Sequence, residues 1–156
     1  MSTLLNLREL GISLNRIADL SPLANLPRLE RLIANNNEFG NLESLANNQT
    51  LTHLQLSNNG INDIRFVAEL THLQELDLTS NEVSDLAPLV GLQHLRRLIL
   101  GANEISDLSP LVENLAIGED TVVSLAGNPL SELAANFQIS VLRQRGVNVV
   151  YESPLQ

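Results

Sequence analysis

Residues 76–95 read LDLTSNEVSDLAPLVGLQHL. The apolar positions follow neither the 3.6-residue period of a helix nor the two-residue alternation of a plain strand, and Asn81 stands inside an apolar run. Twenty-two residues earlier the chain reads LQLSNNGINDIRFVAELTHL, and 22 later it reads LILGANEISDLSPLVENL. Asn59, Asn81 and Asn103 fall at one position of this pattern; Ile61, Val83 and Ile105 fall at a second, and Asp63, Asp85 and Asp107 at a third. Asn15 and Asn37 extend the series backward, and Asn128 extends it forward after an insertion of three residues. A fixed period of this length signals a stacked repeat, in which one unit cannot bury its apolar side alone.

The unit is LxxLxLxxNxIxDLxPLxxLxx, starting at Leu7, Leu29, Leu51, Leu73 and Leu95. Its LxL segment predicts a short strand, with Leu54 and Leu56, or Leu76 and Leu78, pointing inward. Successive strands would stack as a parallel sheet. The sharp turn that follows leaves backbone N–H and C=O groups inside, and these need partners. An Asn amide offers two donors and an acceptor. Asn15, Asn37, Asn59, Asn81, Asn103 and Asn128 are therefore expected to form a structural ladder rather than a ligand site. Pro22, Pro88 and Pro110 stop any strand in the second half of the unit. Asp19, Asp85 and Asp107 can cap short 3-10 turns there. That side needs more room than the strands, so the stack should curve with its sheet on the concave face.

The pattern resembles a leucine-rich repeat of the 22-residue bacterial type found in internalin-like proteins. The unit of the eukaryotic phosphatase-regulatory repeat family is similar. The resemblance covers essentially the whole chain. It implies an α/β solenoid that binds other proteins, as a secreted or cell-surface part of a larger bacterial protein, with a cytoplasmic setting left open. It does not name a partner, because one fold serves many.

The expected organisation is a single domain over 1–156. A partial N-terminal unit covers 1–6, the five full repeats follow, and a partial repeat with a C-terminal cap covers 120–156. In the cap, Ser131 reads as a helix N-cap, Leu133, Phe137 and Val141 as one helix face, Gly146 as the helix stop, and VNVVY as an edge strand. At the other end the chain begins two-thirds through a unit, which reads as a piece of a longer protein. The uncovered first strand around Leu7, Leu10 and Ile12 predicts weak two-fold self-association through that edge. Ala34, Phe39 and Phe66 replace Leu, Ile and Pro of the pattern, so the convex side is expected to be irregular around the second and third units.

Composition narrows the function. The chain has 156 residues, no Cys and a net charge of −9, and every basic residue is Arg. There is no disulfide framework and no cysteine nucleophile. The acidic surface disfavours nucleic acid and anionic membranes, and no segment is long and apolar enough for membrane insertion. No cofactor motif, metal-ligand set or catalytic constellation occurs. His72 and His94 share one position in adjacent units and read as solvated surface groups. Asn48-Gln49-Thr50 is a glycosylation sequon, relevant only in a eukaryotic secretory pathway.

What remains is the exposed face of the sheet. One column should hold Glu9, Arg31, His53, Glu75 and Arg97. The next should hold Gly11, Ile33, Gln55, Asp77 and Ile99, and a third Ser13, Asn35, Ser57, Thr79 and Gly101. With Arg31, Arg97, Ile33 and Ile99 as anchors, this face reads as a binding surface for an unidentified protein. The competing reading is a spacer within a larger protein, its face solvated and its charges paired sideways, Glu9 with Arg31 and Glu75 with Arg97.

Overall fold

A computed structural model describes residues 4–151. Seven three-residue strands form one open parallel sheet in sequence order. They are β1 (Glu9–Gly11), β2 (Arg31–Ile33), β3 (His53–Gln55), β4 (Glu75–Asp77), β5 (Arg97–Ile99), β6 (Val122–Ser124) and β7 (Asn148–Val150). Leu10, Leu32, Leu54, Leu76 and Leu98 stand directly beside one another, one per repeat, and Val123 and Val149 continue the row. From Leu32 to Leu98 this row is wholly buried, as are Leu56, Leu78 and Leu100 after the strands. Burying one such side chain contributes about 1.5–3 kcal/mol, and the repeat sums it along a single continuous core.

The return side is built from short helical turns. Ser21–Leu23 and Ala87–Leu89 are 3-10 turns with a proline in the first turn, and α1 (Ser109–Glu113) is a short α-helix of the same kind. Asp19, Asp63, Asp85 and Asp107 each accept the N–H two residues on through Oδ1, and Asn41 does the same in the second unit. The caps expected at Asp19, Asp85 and Asp107 are thus made, one residue ahead of the turn. The expected irregularity takes a definite form: without proline, the turns of units two and three lengthen to five residues, Glu43–Asn47 and Arg65–Glu69.

The asparagine ladder is built as its chemistry requires. Asn81 Nδ2 donates to Leu78 O of its own unit at 2.9 Å and to Leu56 O of the preceding one at 3.0 Å. Its Oδ1 accepts the N–H groups of Asn59 and Ile61, both at 3.0 Å. Asn37, Asn59, Asn103 and Asn128 donate in the same way and are buried. Asn15 corrects the expectation of six buried rungs. It bonds only Ile12 O and Ser13 O and is exposed, because no unit precedes it among the described residues. The residue before each rung (Leu14, Asn36, Asn58, Ser80, Ala102 and Gly127) has φ between 53° and 77°. This left-handed turn aims the amide inward.

A second amide set was not foreseen. Asn48 and Asn114 take the position that Leu26, Leu70 and Leu92 hold elsewhere, and each donates to two carbonyls of the preceding unit. Asn48 is 1% exposed, so in the folded chain the sequon is closed to modification.

The C-terminal cap is a helix followed by β7. Ser131 Oγ accepts the Ala134 N–H, confirming the N-cap, and Gly146, with φ 87°, ends the helix. There Val147 N–H bonds Leu142 O and Gly146 N–H bonds Arg143 O, the two bonds of a Schellman stop. The expected inner face is wrong. A π-turn over Ala134–Gln138 shifts the register ahead of α2 (Ile139–Gln144). Ala134, Gln138, Ile139 and Leu142 are buried, whereas Leu133 and Phe137 are about 60% exposed and Val141 lies at the margin. Gln138 docks the cap: its Oε1 accepts Leu108 N–H at 2.8 Å and its Nε2 donates to Asp107 Oδ1 at 2.7 Å. At the opposite end β1 is the sheet edge, with Leu10 and Ile12 half-buried and Leu4 and Leu5 exposed. The first half of the expected partial unit, residues 1–3, and residues 152–156 of the expected cap lie outside the described residues.

Two outcomes are expected. Asn81→Ala strands buried backbone groups and should lower unfolding free energy by on the order of 2–4 kcal/mol, whereas Asn15→Ala should cost under about 1 kcal/mol; denaturant midpoints compare them directly. Asp107 has its carboxyl held below the usual carboxylate value, first by the Gln138 side chain and then by Ser109. Its contribution is present above the unfolded value near pH 4 and is lost as pH falls through the folded one. Asp107→Asn should therefore flatten the acid limb of a stability-against-pH curve.

Candidate functional site

The exposed side of the sheet presents the three expected columns. Parallel pairing sets Glu9, Arg31, His53, Glu75 and Arg97 side by side, and likewise Gly11, Ile33, Gln55, Asp77 and Ile99. Adjacent members are one strand spacing apart, about 4.8 Å. Ser13, Asn35, Ser57, Thr79 and Gly101 follow the strands and are all half-buried.

A hydrogen-bonded strip runs across the middle of this face. Ser13 Oγ accepts the Asn35 N–H at 3.0 Å, and Asn35 Oδ1 accepts the Ser57 N–H at 2.8 Å. Asn35 Nδ2 reaches Gln55 Oε1 at 3.5 Å, and Gln55 Nε2 donates to Glu75 Oε1 at 3.2 Å. Asp77 is held by Thr79 Oγ1 at 2.7 Å, and His53 Nδ1 lies 2.8 Å from Thr52 Oγ1.

The sideways ion pairs Glu9–Arg31 and Glu75–Arg97 do not form. Among the described residues the ion pairs are Arg8–Glu30, beside the face, and Asp63–Arg65, on the return side. Gln55 occupies the Glu75 carboxylate, and the Arg8 guanidinium meets Glu30 one residue back along the same two strands. Among the described residues Arg31 and Arg97 thus keep guanidinium groups with no carboxylate partner. Ile33 and Ile99 lie half-buried in the second column, with Gln55 and Asp77 between them.

The columns extend further than the 22-residue period indicates. Val122 and Asn148 continue the first, and Ser124 and Val150 the second, with Val150 46% exposed. The insertion before Asn128 hides them, and realigning the sixth unit on that Asn would have found Val122 and Ser124. His72 and His94 stack with ring centroids 6.3 Å apart, and His72 Nδ1 lies 3.0 Å from Gln49 O. Among the described residues no three His, Cys, Asp or Glu side chains are grouped to hold a metal, and no helix is long and apolar enough to cross a membrane.

An open parallel sheet with one strand per 22-residue unit, a buried Asn ladder and a helix–strand cap defines an internalin-like leucine-rich repeat solenoid. The family model for leucine-rich repeats matches residues 5–47, 49–91 and 71–113, and the chain belongs to that family. An internalin of Listeria monocytogenes is 28% identical, with a TM-score of 0.82 over 97% of this chain and 45% of its own. Internalin C2 of the same organism is 27% identical over 94% of this chain and 72% of its own, with a TM-score of 0.61. A leucine-rich repeat protein of Leptospira interrogans, 23% identical, shares the fold, with a TM-score of 0.78 over 92% of this chain and 37% of its own. This chain therefore spans less than half the length of the first and third of these structures. No curated protein matches the sequence.

Proposed function

We propose that the chain is a non-catalytic module that binds a partner protein through the exposed face of its sheet. The observation that carries this reading is the pair of uncommitted guanidinium groups, Arg31 and Arg97, on a face that is otherwise tied into a rigid strip. Both are carried on strands of one sheet, so their backbone spacing is preset and binding has to order only the two side chains. Arg is among the residues that dominate interface energies. Ile33 and Ile99 supply the apolar contacts beside them, and Glu9, His53, Glu75 and Asp77 complete the polar surround.

The same reading includes weak two-fold association through the β1 edge, whose outer backbone groups have no strand beside them among the described residues. Sedimentation over a concentration range should show a dimer fraction that an added N-terminal repeat abolishes; a parent that stays monomeric would sink this part.

The main test compares the parent with Arg31→Glu/Arg97→Glu in a capture experiment from the source organism's surroundings. The variant should keep the parent's denaturation midpoint and lose the partners the parent retains. Recovery of the same partners by both would overturn the face assignment and leave the spacer role.

A further inference from the structure

The repeat departs most from its own hydrogen-bonding rule between the second and third units; a smaller departure follows from Pro129, which has no N–H to give the Ile105 carbonyl. At Ile17, Ile61, Val83 and Ile105 the N–H is bonded to the ladder Asn of the next unit. The carbonyls of Ile17, Ile61 and Val83 accept the N–H groups of Glu38, Glu82 and Glu104. Phe39 is the corresponding residue of the second unit and makes neither bond. Gly60, which stands where the other units have Glu38, Glu82 and Glu104, does not donate to it. Gly60 has φ 67°, whereas those glutamates do not lie in the left-handed region. Its turned backbone takes the N–H away from the Phe39 carbonyl, so the bond that joins other units at this point is missing. Among the described residues the Phe39 N–H, the Phe39 C=O and the Gly60 N–H have no partner.

The gap has a floor and a rim. A cavity of about 330 Å³ lies between the stretches 39–43 and 60–66 that lead into the two lengthened turns, with Phe39, Leu42, Ile61 and Phe66 as an apolar floor beneath a largely polar wall that includes Asn41, Asn62, Asp63 and Arg65, and with Gly40 and Gly60 at its sides. A Cβ added at either glycine would meet nothing within 4 Å. Phe39 and Gly60 also line a second, open hollow of about 560 Å³ toward the ladder turns, bordered by the amides of Asn36 and Asn58. At the rim Arg65 pairs with Asp63 and feels Glu43 as a further acidic charge, while Glu38 makes no ion pair among the described residues.

We propose that this gap is a second binding site, separate from the sheet face, for an extended basic peptide carrying one apolar side chain. Each feature selects one part of that ligand. Unpaired backbone donors and an acceptor in one place recognise a peptide main chain, as an exposed sheet edge does. The Phe39 and Phe66 rings with Leu42 and Ile61 take one apolar side chain. Glu38 and Glu43 favour Arg or Lys on either side of it, and the net charge of −9 attracts such a ligand from a distance. The two hollows share Phe39 and Gly60 in their linings, so an extended chain lying across those residues meets both.

The probe is the blocked tripeptide acetyl-Arg-Leu-Arg-amide, titrated into the ¹⁵N-labelled protein. The Phe39 and Gly60 amide resonances should shift saturably, while those of Leu76, Leu98 and the sheet face stay in place. Acetyl-Arg-Gly-Arg-amide and acetyl-Glu-Leu-Glu-amide should bind at least about tenfold more weakly, a difference of about 1.4 kcal/mol. Phe39→Ile/Gly60→Glu restores the residues of the other units and should close the gap without loss of stability. It should slow Gly60-position amide exchange to that of Glu82 and lose the peptide, although it adds a negative charge. Absence of a saturable shift up to about 10 mM, where even a contact of under 3 kcal/mol would register, would overturn the proposal. So would equal binding by the closed variant or by the acidic peptide.

Discussion

Every repeat in this chain must turn sharply after a three-residue strand, and each turn leaves main-chain groups in a place water cannot reach. The Asn amide resolves this. One side chain bonds the carbonyl of its own turn, the carbonyl of the turn before, and one or two N–H groups of that earlier unit. The rest of the architecture depends on those bonds. They fix the stacking distance, and this brings the strands into register and lets the leucine rows close. Asn48 and Asn114 apply the same chemistry on the return side, each adding two bonds to carbonyls of the preceding unit, most of which also accept a main-chain N–H. A leucine at that position contributes burial, an asparagine contributes bonding, and the stack tolerates either.

Periodicity made most of the fold legible. The 22-residue spacing gives the strands, the inward leucines, the ladder and the order of the exposed columns, because each is a property of the unit rather than of one residue. Where the period fails, inference from residues alone fails with it. The insertion before Asn128 concealed Val122 and Ser124 as members of the face. The cap helix could not be oriented from Leu133, Phe137 and Val141, because a π-turn moves the buried side to Ala134, Gln138, Ile139 and Leu142. No pattern of hydrophobicity announces such a turn, and a buried Gln reads as a surface residue until its partners Leu108 and Asp107 are seen. The sideways ion pairs failed for a different reason: opposite charges on adjacent strands are neighbours, but Gln55 takes the Glu75 carboxylate, and between the first two units the charge pairing is made one residue back, by Arg8 and Glu30.

The sheet face and the return side use the repeat in opposite ways. On the face, regularity does the positioning: identical strands hold Arg31 and Arg97 at fixed points, and variation is confined to the side chains. Between units two and three, the departure from regularity makes the surface. Phe39 and Gly60 are ordinary residues individually, yet together they leave main-chain groups open beside a hollow with an apolar floor and a polar wall. A repeat protein thus has two sources of specificity, the sequence painted on its regular face and the faults in its stacking.

The ladder also has a direction. Each Asn serves its own turn and the one before it, and none of the ladder amides donates to the turn that follows. The dependence of unit upon unit therefore runs one way along the chain. Removing the last unit would leave the Ile105 N–H and the Leu100 carbonyl without Asn128. Removing the first would leave Asn37 with bonds to its own turn intact through Ala34 O and Asn35 O, as Asn15 already stands with Ile12 O and Ser13 O. Fraying should start at the N-terminal end and travel inward, with the Gln138-docked cap as the anchor that melts last. The same asymmetry separates the two ends when a unit is lost: either loss breaks a full set of strand bonds, but an N-terminal loss leaves the next ladder amide bonded within its own turn, whereas a C-terminal loss also takes away the cap that Gln138 docks.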